Sequence, residues 1–140
     1  MSLDDEKSLS RRAIDRWASK NSDTTEDIFA ANYINDQGPY AAGGTKALSL
    51  EAWRKLVKEY HDAFSNSTVR VLKQIAQGDL VATQWQITAT LTGRYLGHAP
   101  TGKTATWTGV SIDRFENGKI VESWINWDKY GYLKGFGLLK

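Results

Sequence analysis

The chain has 140 residues, a formal net charge of +2 and no cysteine. That length suits a single domain, 1–140, whose core needs no metal or disulfide staple, and the missing thiols exclude disulfides and thiolate metal sites. The dispersed charge leaves no basic cluster for a nucleic-acid partner; residues 1–20 are charged and hold no apolar run, which argues against a secretory signal or membrane span and makes the cytoplasm the expected compartment.

Helices come first and strands after, the order of an α+β fold. A first helix is expected over 5–20, where Leu9, Ala13 and Trp17 repeat at i, i+4 and i+8 beside Ile14. Its start carries Asp4, Asp5 and Glu6, which suit the positive end of the helix dipole. Residues 21–23 break it, 24–31 read as a short second helix, and 33–45 read as a loop with Pro39, Gly43 and Gly44. Ser49 is the expected N-cap of a third helix, whose apolar face is Trp53, Leu56, Val57, Tyr60 and Phe64.

Strands are expected over 69–77, 80–92, 104–115 and 120–127. In the second, Val81, Thr83, Trp85, Ile87, Ala89 and Leu91 share a face. Asn117-Gly118 signals a type I′ hairpin, so the last two strands should pair antiparallel. Residues 129–140 close the chain as a short helix or coil. Long, twisted antiparallel strands with helices over one face make a cone with an open end, which is a natural small-molecule pocket.

Six tryptophans and six tyrosines are the unusual feature of the composition. Trp85, Trp107, Trp124 and Trp127 are candidates for a pocket wall or for core and interface packing. Trp124 and Trp127 must point to opposite faces of a regular strand. Asp128 continues the alternation Ile120, Glu122, Trp124, Asn126. If Trp124 faces the cone, Asp128 does too; among apolar side chains its pKa rises and it becomes a general acid/base. The alternative is that Asp128 caps the tail segment. Asn126 is a candidate hydrogen-bond donor to a ligand oxygen. Trp53, Tyr60, Trp107 and Ser111 complete the expected ligand contacts. His61 and His98 read as surface residues, Glu122 as a solvated rim residue, and Arg114 either binds a carboxylate or makes a cross-strand ion pair. No metal site is expected.

The stretches GDLVATQW (78–85), TGRYLGHAPTGK (92–103), TGVSIDRFENGKIVESWINWD (108–128) and GYLKGFG (131–137) together resemble the SnoaL-like polyketide cyclases of the nuclear transport factor 2-like superfamily. The resemblance implies a cone-shaped α+β barrel. It also implies that Asp128 is the acid/base of an intramolecular aldol closure, with no cofactor. Family members often carry histidine where Leu91 and Ser111 stand, and glutamine where Gly135 stands. The expected function is acid/base cyclisation or isomerisation of a hydrophobic carbonyl compound. The alternatives are a non-catalytic small-molecule binding protein and an epoxide-hydrolase-like enzyme. A homodimer or higher even oligomer is expected through the outer face of the sheet, because three short helices cannot cover both of its Trp-bearing faces.

Overall fold

A computed structural model describes residues 1–18, 25–37 and 47–139. Helix α1 spans Leu3–Asp15 and starts two residues earlier than the periodicity indicates, because Ser2 and Asp5 form a capping box. Ser49 caps α3, Leu50–Ala63, through its side chain on the Ala52 amide. The expected break at 21–23 and the Pro39 and Gly43-Gly44 part of the expected loop lie outside the described residues.

Two expectations for the first half are corrected. The second helix, α2, covers only Thr25–Ile28, and the chain then runs straight into a strand, β1, Phe29–Asp36. That strand occupies what reads as the tail of a helix and the start of a loop. It pairs with a short β2, Ala47–Ser49, on one side. On its other side it lies parallel to β6, Lys119–Trp127. The stretch has poor strand propensity, and tertiary pairing overrides it.

The remaining strands are β3, Phe64–Gln77; β4, Leu80–Leu91; and β5, Thr104–Glu116. They form one six-stranded sheet in the order β2-β1-β6-β5-β4-β3. β3 through β6 are antiparallel neighbours, as the hairpin signal predicts. Asn117 and Gly118 have φ of 51° and 78°, as a type I′ turn requires. β3 follows α3 without a break, and its register slips between Ser65 and Thr68 and again between Val71 and Lys73. Such bulges add bend and twist, and they curl this edge of the sheet over the helices.

A third irregularity sets the site. Phe115 pairs with Ile120 while Arg114 pairs with Glu122, so Val121 is an extra residue in β6. The bulge reverses the alternation. Ile120 is buried against the core, yet beyond it Ser123, Ile125 and Trp127 face inward; Glu122, Trp124 and Asn126 face outward. Helix α4, Lys129–Gly135, folds back under β5. Gly135 sits so close to that strand that a Cβ there would lie 2.6 Å from the Ala105 Cβ. Among the described residues no helix is long and apolar enough to cross a membrane.

Candidate functional site

The inner face of the curled sheet, α3 and the ends of α1 and α4 enclose a cavity. About 640 Å³ of space lies in and in front of it, open solvent included. The wall is aromatic: Trp17 follows α1, Trp53 and Tyr60 come from α3, Trp85 from β4, Trp107 from β5, Trp127 from β6 and Tyr132 from α4. The rings brace one another edge to face. Trp17 meets Tyr60 with centroids 5.0 Å apart, and Tyr132 meets both Trp107 and Trp127 at 5.3 Å. Each such pair adds about 0.5–1.5 kcal/mol beyond its buried area.

Trp17 is held by polar contacts behind it. The Tyr60 hydroxyl donates to Ser67 Oγ at 2.7 Å, and Ser67 donates to the Trp17 carbonyl at 2.7 Å. His61 Nε2 donates to the Arg16 carbonyl at 2.6 Å. His61 is therefore a half-buried clamp on the end of α1 and not a free surface residue. His98 is also half-buried, in a backbone bridge with Tyr95.

Few polar groups enter the cavity. The Trp85 indole N–H donates to Ser111 Oγ at 2.9 Å. Because that bond uses a Ser111 lone pair, the Ser111 hydroxyl proton is left for a ligand oxygen, polarised by the indole. Asn35 and Gln37 stand at the end of β1; Gln37 Nε2 donates to Asn35 Oδ1, and Asn35 Nδ2 donates to the Tyr33 hydroxyl at 2.7 Å. Burial raises the phenol pKa of Tyr33, Tyr60, Tyr95 and Tyr132, so these hydroxyls stay protonated.

A smaller polar recess opens beside the cavity and shares Asn35, Ser111 and Ile125 with it. On its wall lies Asp113, 5% exposed. Its Oδ2 accepts from Ser10 of α1 at 2.7 Å and its Oδ1 accepts from Ser123 of β6 at 2.6 Å. Desolvation pushes its pKa up to about 6, with the Ser123 and Ser10 hydrogen bonds pulling the other way.

Four of the expected ligand contacts, Trp53, Tyr60, Trp107 and Ser111, line the cavity together. Trp124, Asn126 and Asp128 do not, and this corrects the expectation that they face the cone. Trp124 and Asn126 pair with Ile112 and Val110 on the outer face. Asp128 is exposed and caps α4, its Oδ1 accepting from the Gly131 amide at 2.8 Å. A Cβ on Gly131 would lie 2.4 Å from Asp128 Oδ2, so glycine lets the cap close. Arg114 is also outside, in ion pairs with its cross-strand partner Glu122 at 3.2 Å and with Glu116 at 3.1 Å. Asp113, Tyr33 and Asn35 are the residues that sequence reasoning missed. The signal for Asp113 was its place between Ser111 and Phe115 in the buried alternation of β5. Among the described residues no group of three or more His, Cys, Asp or Glu is placed to hold a metal ion.

A family model, the SnoaL-like polyketide cyclase, matches residues 7–135. The chain belongs to the SnoaL-like polyketide cyclase family. AclR from Streptomyces galilaeus is 24% identical to this SnoaL-like chain, with 99% and 100% of the two chains covered and a TM-score of 0.84. TsrD from Streptomyces laurentii is 14% identical, with 99% of each chain covered and a TM-score of 0.85. IdmH from Streptomyces antibioticus, provisionally a polyketide cyclase, is 22% identical, with 94% and 98% covered and a TM-score of 0.78. At these identities the likeness to solved structures shows the fold. No curated protein matches the chain.

Proposed function

We propose that this SnoaL-like chain takes a flat, ring-bearing carbonyl compound into the cone and promotes proton transfer on it, leading to aldol-type cyclisation or isomerisation. The observation that carries the reading is the wall of the cavity. Indoles and phenols packed edge to face make a largely apolar wall that complements a planar apolar body, while Ser111, backed by Trp85, offers one oriented donor to an oxygen. A donor aimed where charge develops, in a site with little water, stabilises an enolate oxygen far more than the same donor does in solvent. Proton transfers and C–C bond formation need no redox cofactor, since the electrons stay within the substrate.

The test is binding of a bicyclic ketone, 2-tetralone, read by quenching of tryptophan fluorescence. Ile125 faces the cavity and its neighbour Asn126 faces out. Saturable quenching that Ile125→Arg abolishes and Asn126→Arg leaves intact supports the reading. Equal binding by both variants sinks it.

Binding without turnover is the second reading. What supports it is that Leu91 and Ser111 stand where related chains often carry histidine, and that no histidine lines the cavity among the described residues. The epoxide-hydrolase reading loses its arginine, since Arg114 lies on the outer face.

We also propose that two copies associate through the outer face of the sheet. Ile75, Ala82, Ile112 and Trp124 pair in register across four strands, and Ile75 is 71% exposed. A row of this kind is the usual mark of an interaction surface.

A further inference from the structure

Of the residues that line the cavity and its recess, Asp113 alone among the described residues carries a side chain that changes protonation near neutral pH; the others are apolar, hydroxyl, amide, indole or phenol. Its two oxygens each accept one hydroxyl hydrogen bond, which leaves further lone pairs on a carboxylate that has about four acceptor positions. Both partners are neutral, so no cation holds the group ionised.

We propose that Asp113 is the acid/base group of the cone, exchanging protons with a carbonyl compound whose reacting end enters the recess. The inference rests on the reading of the cavity as a carbonyl-compound site. In the forward step the carboxylate takes a proton from the carbon beside the carbonyl. The C–H electron pair becomes the enolate double bond, and the carbonyl π pair moves to oxygen, where the Ser111 hydroxyl donates. Asp113, now a carboxylic acid, returns the proton in one of two ways. It protonates another carbon of a conjugated enolate, which is an isomerisation. Or it protonates the alkoxide formed when the enolate carbon adds to a second carbonyl of the same molecule, which closes a ring. Either way the carboxylate is regenerated and no co-reactant is consumed.

The surroundings fit this use. Desolvation raises the Asp113 pKa to about 6, near the working pH at which an acid/base is most effective. The elements packed round it present Ser10 from α1, Tyr33 from β1, Thr83 from β4 and Ser123 from β6. The charged groups of α1 and its end that are buried are Glu6, one turn before Ser10, and Arg16, whose guanidinium lies over the Trp53 ring at 5.5 Å. Arg114, the next residue in β5, points to the opposite face of the sheet.

The experiment is exchange of the α-protons of 2-tetralone for deuterium in D₂O, followed by proton NMR with the full chain. The expected result is acceleration over buffer, with a rate that rises with pH and levels off above about 6, the value for Asp113. Asp113→Asn should still bind 2-tetralone and lose ~10²–10⁴-fold in exchange rate. Ser123→Ala keeps the carboxyl but removes a hydrogen bond to its charged form, so the midpoint should move to higher pH; this variant decides the matter if Asp113→Asn does not fold. Bound 2-tetralone with no acceleration, wild-type exchange by Asp113→Asn, an unmoved midpoint in Ser123→Ala, or loss in Asp128→Asn but not in Asp113→Asn would each overturn the assignment. If 2-tetralone does not bind at all, the cavity reading fails and takes the assignment with it.

Discussion

Trp85 and Gly109 stand opposite each other across β4 and β5, and a Cβ on Gly109 would lie 2.3 Å from Trp85 Cζ2. The missing side chain is what lets the indole lie flat on the sheet and reach Ser111. Gly109→Ala should therefore overpack the cavity floor and cost about 1–3 kcal/mol. Urea unfolding should show a lower midpoint with an unchanged slope, and the Trp85 indole proton should lose its hydrogen-bonded shift. Wild-type stability with an unmoved indole contradicts this packing.

Asp113 makes stability depend on pH in the direction opposite to that of most aspartates. Its folded-state pKa is about 6 against 3.8 for the ordinary group. Between these values the folded state holds more protons than the unfolded one, so stability falls as pH rises. The cost is absent below the ordinary value, is complete above about 6, and is on the order of 3 kcal/mol. Asp113→Asn should remove it. The stability of the variant relative to wild type should rise by that order between acid and neutral pH in paired urea titrations; a flat difference contradicts the assignment.

The hairpin of β5 and β6, the N-cap at Ser49 and the buried face of β4 are readable from Asn117-Gly118, local capping chemistry and strict alternation. β1 is not, because its apolar residues Phe29, Tyr33 and Ile34 are spaced by alanine and asparagine and its strand form depends on β6 and β2. The inward face of β6 is not readable either. Ile120 is buried, so extrapolating a period of two from it selects Trp124, Asn126 and Asp128. The Val121 bulge breaks that period, and no single residue in the sequence announces it. One misplaced parity thus moves the candidate carboxylate from Asp113 to Asp128. The tryptophan content remained informative because both parities carry an indole.

Asp128 should behave as a helix cap. Its carboxylate accepts from the Gly131 amide, and asparagine caps as well as aspartate does, so Asp128→Asn should be near neutral while Asp128→Ala costs ~1 kcal/mol. Chemical denaturation of the two variants checks this. Equal loss in both contradicts a capping role.

Trp124→Glu together with Ile112→Lys places charges in the apolar row of the outer face. If that row joins two copies, sedimentation should show a dimer for the wild type and a monomer of unchanged helix and strand content for the double variant. A monomeric wild type at micromolar concentration contradicts the association.

The tryptophans report directly on whether the aromatic cone is the ligand site. Five of the six, Trp17, Trp53, Trp85, Trp107 and Trp127, line the cavity, and Trp124 lies outside it. The measurement is the set of indole N–H resonances of ¹⁵N-labelled protein during titration with 2-tetralone. Saturable shifts are expected in the cavity indoles, largest for Trp85 because its N–H partner Ser111 re-aims its hydroxyl at the ketone oxygen, while Trp124 stays still. Movement of Trp124 alone, or no movement at saturating ketone, contradicts it.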